Sequence, residues 1–270
     1  MFLKHNIIVE NIFDPFLFNF PLDDKIYLFY EISYFDLNKK KYRNGDIFYS
    51  SKKINEDRWI FGGPILKRNW KTSFPQIFSK NNSIYMIPET SSNTNIILYE
   101  FAKENFPNNL KIKKVLLSGL DFQDNQIFVY DGTTFLFTST DTDTKLRIYY
   151  SDNFLKDDFI EHPMSPILKN DFDARAAGKI FEINGKLYRP SQNLFHGNGI
   201  LFNEITKLNK FEYKETKSNF ISNIKNKYGN NSVHHIDFLN LNKKYQIVVD
   251  GSFLKPHFYH NTKAFIQDDQ

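Results

Sequence analysis

The sequence predicts an all-β protein, a five-bladed β-propeller whose four-stranded antiparallel blades surround a central channel. Three observations favour this fold. Strand-forming aromatic residues are abundant, a hairpin pattern recurs five times, and its spacing of 50 to 60 residues suits one propeller blade. Phe and Tyr contribute 29 and 15 of the 270 residues, and hydrophobic residues make up 41%, which is enough for a large core. Apolar residues at helical spacing occur only near residues 100–110.

Each copy of the repeat reads as a β-hairpin. An aliphatic-Phe pair, replaced by Asp-Phe in the fifth copy, is followed by a polar turn and a second apolar strand. The pairs begin 60, 50, 53 and 57 residues apart, at Leu17, Ile77, Ile127, Ile180 and Asp237. Weaker strand signals after the first four hairpins predict third and fourth strands in those blades.

The chain is predicted to form one domain, residues 1–270, because no linker-like stretch divides it. The expected blades span residues 12–63, 72–118, 122–168, 175–215 and 231–260. Residues 5–11 are expected to add the outer strand of the last blade and close the ring, which would remove an exposed sheet edge.

Composition excludes several classes of protein. The absence of cysteine rules out disulfides and thiolate metal sites, and no apolar stretch approaches the length of a membrane-spanning helix. The net charge of +4 is mostly scattered, apart from short runs such as Lys39, Lys40 and Lys41. An ordinary solvated surface explains this best, and attraction to nucleotide phosphates or membrane surfaces is the alternative. The aromatic residues follow strand periods, which indicates a core and no nucleic-acid surface.

The first residues carry Lys4, His5 and Glu10 where a signal peptide would be apolar. A cytoplasmic location is therefore expected.

Polar residues recur at the hairpin ends. In a propeller, the start of each blade's first strand and the end of its second lie on one face of the disc. The residues three before the aligned aliphatic positions are Asp14, Phe74, Asp124, Ala177 and His234. Four residues after the aligned second-strand aromatics lie Glu31, Glu89, Ser139 and Gln192.

This convergence predicts a carbohydrate-processing site. Two carboxylates can divide acid and base roles at a glycosidic bond, since burial and like charge raise the pKa of one partner only. The candidate catalytic residues are Asp14, Glu89 and Asp124. The candidate substrate-binding residues are Glu31, Arg175, Arg189, Gln192, His234 and His235, of which the two arginines could clamp a phosphate or carboxylate.

Each of these residues also has a structural interpretation. Asp14 and Asp124 could simply open strands, Glu89 could form a rim salt bridge, and Arg175 could pair with Asp171 or Asp173. Adjacent histidines are often structural. The prediction therefore depends on the joint placement of the residues.

Two families resemble this chain at these residues. The openings "DPFLF" and "DNQIF" resemble the propeller enzymes of glycoside hydrolase family 43, which implies that Asp14 is a general base and that Asp124 tunes pKa values. The family's general acid, a Glu opening the fourth blade, is absent from "DARAAGK", where Arg175 stands. The acid role would then fall to Glu89 or Glu31. The same resemblance implies a Ca²⁺ ion in the channel near His235.

A more specific resemblance covers about residues 12–250. The motifs "FPQIF", "IYMIPETS", "ARAAGKIFEINGKLYRPSQN" and "HHIDF" are similar to the propeller found at the N-terminus of glucosamine inositolphosphorylceramide transferases and in bacterial relatives. The plant-type transferases carry a separate catalytic domain after this propeller.

The resulting hypothesis is an enzyme of surface-glycan assembly that transfers a sugar from a nucleotide-sugar donor. Asp14 would be the base toward the acceptor hydroxyl, and Arg175 and Arg189 would neutralise the leaving phosphate. Partners would be the sugar ligand and other glycan-assembly enzymes, without nucleic acid. The alternatives are a glycoside hydrolase, with Glu89 as acid and Asp14 as base, and a non-catalytic propeller that binds glycans or proteins.

Overall fold

The structure, a computed structural model, describes residues 6–20, 23–141, 144–169, 172–193, 199–221, 232–241 and 244–252. These residues form a β-propeller of antiparallel sheets, which confirms the predicted all-β class. Its helical content in the described ranges is three short 3-10 turns, Ser91–Asn93, Lys103–Asn105 and Phe172–Ala174.

The strands follow one another in chain order within each sheet. Blade 1 contains β1 (Ile7–Asn19), β2 (Lys25–Asp36), β3 (Lys41–Lys53) and β4 (Ile60–Leu66). Blade 2 contains β5 (Ser73–Lys80), β6 (Ser83–Glu89), β7 (Asn95–Phe101) and β8 (Leu110–Ser118). Blade 3 contains β9 (Gln123–Tyr130), β10 (Thr133–Thr140), β11 (Lys145–Ser151) and the short β12 (Ile160–Glu161) and β13 (Leu168–Lys169), which both pair with β11.

Blade 4 contains β14 (Phe181–Ile183), β15 (Lys186–Gln192), β16 (Ile200–Leu208) and β17 (Tyr213–Ile221). The last sheet pairs β18 (Ser232–Leu241) with β19 (Lys244–Ser252) and has two strands in the described part of the chain. Four blades with four or more strands are therefore seen. The predicted count of five four-stranded blades is not confirmed.

The expectation that residues 5–11 close the ring in the last blade is wrong. Strand β1 runs without interruption from Ile7 to Asn19, so its first residues remain in blade 1. Ile7 pairs with Asp36 and Val9 with Tyr34, both in β2. The pairing register shifts at two bulges, but every paired residue of β1 has its partner in β2.

Apolar side chains fill the spaces between neighbouring sheets. One cluster joins blades 1 and 2, another joins blades 2 and 3, and a third joins blades 3 and 4. A smaller cluster packs blade 4 against the β18–β19 sheet: Ala177, Ile200, Val233 and Ile236. The alternating pattern of each strand thus buries both faces of most blades, as a propeller requires.

A bulge recurs at the predicted hairpin openings. The register shifts between Phe13 and Phe16 in β1, and equivalent shifts occur in β5, β9 and β18. Asp14, Phe74 and Asp124 each adopt a positive φ of 45° to 52° there. A bulge re-aims a side chain and exposes backbone N–H groups, so the repeat produces the same polar opening in successive sheets.

Side chains at these openings link neighbouring sheets. Gln76 of blade 2 exchanges two hydrogen bonds with the backbone of Ile127 in blade 3, at 2.7 and 2.9 Å. Asp237 of β18 accepts the N–H of Leu17 in blade 1 at 2.8 Å. Gly178, with φ +138°, lets the chain approach so closely that an added Cβ would lie 2.0 Å from the carbonyl oxygen of Ile236.

Candidate functional site

The predicted carboxylates meet where the first strands begin. Asp14, Glu31, Glu89 and Asp124 are all buried, and electrostatic interactions connect each of them to at least one of the others. Two cations, Lys71 and Arg175, are more accessible, with side chains 45% and 21% exposed. The buried acids and these two more accessible cations are together called the funnel below.

The first carboxyl pair, Glu89 and Asp124, bridges blades 2 and 3. Glu89 closes β6 and accepts the bulge N–H of Asp124 at 3.2 Å and the Ser91 hydroxyl at 2.9 Å. Burial, together with the charge of Asp124, raises the pKa of Glu89 to about 8. Burial alone would raise the pKa of Asp124, but Arg175, whose Nε lies 2.5 Å from Oδ2, and a hydrogen bond from Glu89 hold it below its ordinary value. Glu89 is thus the protonated partner.

The second carboxyl pair, Asp14 and Asp250, bridges the β18–β19 sheet and blade 1. Asp250 accepts the N–H of Asp14 at 2.9 Å and the N–H of His235 at 2.7 Å. Asp14 in turn accepts the N–H of Phe74 at 3.2 Å, so each carboxylate holds the opening of the next sheet. Burial raises the pKa of Asp14 to about 6, and His234 opposes this shift.

His234 neutralises this second pair. Its Nδ1 lies 3.0 Å from Asp250 and 3.6 Å from Asp14. Burial would lower the pKa of His234, but Asp250 raises it to about 9, so the ring is a cation at neutral pH. The same contact holds the pKa of Asp250 below its ordinary value against the effect of burial.

Glu31 forms a third acidic position, opposite Phe13 in the middle of β2 and not at the strand end that the repeat predicted. Burial raises the pKa of Glu31 to about 8, while Lys71, 3.5 Å away, lowers it. Gly45, with φ +119°, leaves room for this carboxyl group, because an added Cβ would lie 2.5 Å from its Oε1. Burial lowers the pKa of Lys71, but Glu31, Glu89 and other site carboxylates raise it more.

His235 lies beneath the carboxylates. Its ring packs against Phe16 and Phe74, with centroids 4.6 and 5.2 Å away, and its Nδ1 is 3.7 Å from Asp14. Burial lowers the pKa of His235 to about 4, so the ring is neutral. Neither ring nitrogen has a hydrogen-bond partner among the described residues. These aromatic rings form a floor below the acids.

Gln192 and Arg189 have different surroundings, although both lie on β15. The Gln192 amide donates to the Ala176 carbonyl at 3.0 Å and lies 3.3 Å from His234, within the funnel. Arg189 is fully buried and makes a two-pronged salt bridge with Glu215 at 2.7 and 2.8 Å. The two residues are three positions apart on the strand, an odd step that turns their side chains to opposite sides. Arg189 is therefore placed as a structural residue of blade 4, outside the candidate site.

Sequence reasoning missed two members of the site, Asp250 and Lys71. The repeat alignment gave second-strand positions for the first four hairpins only, and the structural equivalent of Glu31 and Glu89 in the fifth is Gly251, opposite Val233. The apolar run ending in "VVDGS" was the available signal for Asp250. Lys71 lies in the connection between blades 1 and 2, which the repeat does not cover.

Among the residues that the structure describes, one group of side chains has metal-ligand spacing: ligand atoms of Asp14, His234 and Asp250 lie within 4.8 Å of one another. Ca²⁺ prefers six to eight oxygen ligands. The available set is two carboxylates and an imidazole that is already ion-paired with Asp250. These residues do not fit the Ca²⁺ ion that the resemblance implied, and no step below uses a metal.

Comparison with known proteins identifies the family. The family described as "Glucosamine inositolphosphorylceramide transferase 1, N-terminal" matches residues 4–252. The chain belongs to this family. It is 33% identical over 238 residues to glucosamine inositolphosphorylceramide transferase 1 of Oryza sativa subsp. japonica, covering 83% of this chain and 30% of the relative. The Arabidopsis thaliana protein of the same name is 31% identical over 253 residues, which are 88% of this chain and 32% of that protein. The chain thus spans about a third of these relatives.

Solved structures show the same fold at low sequence identity. Bombyx mori GH32 β-fructofuranosidase BmSUC1 aligns with a TM-score of 0.65 at 15% identity, covering 91% of this chain and 56% of that one. The Zobellia galactanivorans family 117 glycoside hydrolase Zg3597 aligns with a TM-score of 0.58 at 11% identity, covering 91% and 84%. A Bacillus subtilis family 43 arabinoxylan arabinofuranohydrolase has a TM-score of 0.56 at 14% identity, covering 87% and 58%. The predicted resemblance to family 43-type propellers is confirmed for the fold.

Proposed function

We propose that this propeller is a carbohydrate-active enzyme that transfers a sugar from a nucleotide-sugar donor to an acceptor hydroxyl. The observation that carries the proposal is the unequal protonation of the funnel acids. Glu89 and Glu31 have pKa values of about 8, Asp14 about 6, and Asp124 is ionised beside Arg175. Neighbouring acids and bases with separated pKa values are typical of catalytic sites.

The residues divide the work of the transfer. The Asp14 carboxylate takes the proton of the acceptor hydroxyl, and the acceptor oxygen forms a bond to the anomeric carbon. The bond from that carbon to the donor phosphate breaks, and its electron pair leaves with the phosphate oxygen. Lys71 and Arg175 neutralise the charge that develops there. The sequence predicted Arg189 in this role, and Lys71 takes its place in the proposal. The protonated Glu31 and Glu89 donate hydrogen bonds to sugar hydroxyls.

The names of the relatives support a transferase, and the fold supports a carbohydrate ligand. The test is product formation by the purified chain with a panel of nucleotide-sugars and sugar acceptors, followed by mass spectrometry. Asp14→Asn should lower kcat/KM by about a thousandfold, as expected for loss of a general base. Asp157→Asn, at an exposed surface position, is the matched control and should leave the rate unchanged. Absence of any transfer product across the panel would contradict the proposal.

Glycoside hydrolysis is the second candidate, and the protonated Glu89 favours it. A nucleotide leaving group needs no proton, whereas a sugar or alkyl leaving group does. The distinguishing experiment compares glycosides with good and poor leaving groups in the absence of nucleotide. In a hydrolase, Glu89→Gln should slow the poor leaving group about a hundredfold more than the good one. No turnover of either glycoside would exclude this second function.

A further inference from the structure

We propose that the tip of blade 1 docks on an anionic membrane surface and holds the funnel toward it. The blade-1 tip consists of Ile8, Leu37, Lys39, Lys40, Lys41 and Tyr42. The inference does not rest on the proposed function, because it concerns a surface outside the carboxylate site.

The tip exists because blade 1 is taller than its neighbours. Strands β1, β2 and β3 have 13, 12 and 13 residues, whereas β5, β6 and β7 have 8, 7 and 7. The extra residues continue past Glu31 on the side where the funnel opens. Asp36 lies five residues further along β2 than Glu31, so the tip stands about 17 Å beyond the acids.

Large apolar side chains are exposed on the tip. Tyr42 is 66% exposed, Ile8 50% and Leu37 38%. Phe35 pairs with Ile8 across the strands and packs edge-on against Tyr42, with ring centroids 5.0 Å apart. At this end of blade 1 the buried side chains are those of the adjacent strand positions, Ile7 and Tyr34, which point to the other face of the sheet. An exposed apolar patch of this kind marks an interaction site.

Positive charge surrounds the apolar residues. Lys39, Lys40 and Lys41 are consecutive and exposed: the first two lie in the turn after β2, and Lys41 begins β3. The Asp36 carboxylate faces inward, because its Oδ1 accepts the N–H groups of Asn38 and Lys39 at 3.0 and 3.1 Å. Glu10 is an exposed acid on the adjoining part of β1, and it leaves an excess of positive charge.

The turn is also held in place. Besides the two hydrogen bonds to Asp36, the N–H of Leu37 donates to the carbonyl of Asn6 at 2.9 Å, which ties the turn to the start of β1. A fixed arrangement of lysines around apolar side chains suits a lipid interface, where the lysines contact anionic headgroups and the apolar residues enter the boundary of the acyl chains. A soluble polyanion would use the lysines but gain nothing from Leu37 and Tyr42.

The test is co-sedimentation with vesicles of phosphatidylcholine alone and of phosphatidylcholine mixed with phosphatidylglycerol, at low ionic strength. Binding is expected only to the mixed vesicles and should weaken with salt. The variant Lys39→Gln/Lys40→Gln/Lys41→Gln should bind them about a hundredfold more weakly, because each lysine contributes about fivefold. Leu37→Ser/Tyr42→Ser should also weaken binding, without changing the charge.

Matched controls make each outcome decisive. Lys111→Gln/Lys156→Gln/Lys169→Gln removes the same charge from exposed positions on other blades and should bind like the unmodified chain. Circular dichroism melting should show that all variants fold. Absence of binding to mixed vesicles, or an equal loss in both lysine variants, would overturn the proposal. The proposal would also be overturned by two results together. The chain would bind soluble dextran sulfate through the tip lysines, and the Leu37→Ser/Tyr42→Ser variant would bind mixed vesicles as well as the unmodified chain does.

Discussion

The two carboxyl pairs of the funnel have the same construction and opposite polarity. In each pair, a carboxylate from one sheet accepts the N–H of the bulge residue that opens the next sheet. In the Glu89–Asp124 pair the bulge carboxylate is ionised and its partner holds the proton. In the Asp14–Asp250 pair the bulge carboxylate has the raised pKa, and its partner is ionised.

The position of one cation accounts for the difference. Arg175 bonds to the bulge residue Asp124, whereas His234 bonds to Asp250, the residue that accepts the bulge N–H. Burial raises the pKa of every carboxyl group in the funnel, so the nearest fixed positive charge decides which member of a pair remains ionised. A repeated backbone thus provides two chemically different half-sites.

Arg189→Met tests whether Arg189 is a buried structural residue and should have the largest effect on the unfolding free energy. It would leave Glu215 buried without its partner, at a cost of about 4 kcal/mol in unfolding free energy. Urea denaturation measures this loss. Arg147→Met, which breaks an exposed pair with Glu161, should cost less than about 1 kcal/mol. Similar stabilities of the two variants would mean that Arg189 is not a buried structural residue.

Arg175→Met tests the polarity of the Glu89–Asp124 pair. Without this cation the pKa values of both carboxyl groups should rise, and kcat/KM should fall about a hundredfold because the leaving group loses a positive charge. In the pH profile, the alkaline limb near 8 that Glu89 supplies should move upward. An unchanged limb in this variant would show that Arg175 does not set the protonation of the pair.

His234→Gln addresses the other pair. Removal of this cation should raise the pKa of Asp14 above about 6, so the acidic limb of the profile moves upward and activity below pH 7 drops about tenfold. The alkaline limb serves as an internal control, since Glu89 lies in the other pair and should keep its pKa. A shift of both limbs together would indicate that the two pairs titrate as one unit.

The smallest expected effect is on the pH dependence of the unfolding free energy. Glu31 and Glu89 have folded pKa values of about 8, above the ordinary 4.5, so the folded state keeps protons that the unfolded chain has released. Their contribution is present at low pH and lost as pH rises through 8, and His234 acts in the same direction near 9. His235 acts in the opposite direction only below about 6.5.

Unfolding free energy should therefore fall by about 1 kcal/mol or more between about pH 7 and pH 9. Denaturation midpoints at several pH values measure this slope. Glu31→Gln/Glu89→Gln should flatten it. A slope that persists unchanged in the double variant would locate its origin in other groups.

The fold followed from local signals. Hairpin turns and strand periodicity specify antiparallel strand pairs, because each acts over a few residues, and the recurrence of the hairpin every 50 to 60 residues indicates successive sheets. Equivalent positions in successive sheets face the same channel, so the repeat also predicted that four carboxyl groups lie together, those of Asp14, Glu31, Glu89 and Asp124, but it gave no sign of the bulges. The extension of β1 before its bulge has no counterpart in the other copies of the repeat, which explains the incorrect assignment of residues 5–11.

By itself, the sequence determined the all-β class, the repeat and the polar ends that meet at the channel. The tertiary structure decided which charge lies beside which acid. It placed Lys71 and Asp250 in the funnel and Arg189 outside it, and it separated the pKa values of neighbouring carboxyl groups. The physical reason is that strand periodicity is a local property of the backbone, whereas burial and Coulomb interaction depend on distances between residues that are far apart in the chain.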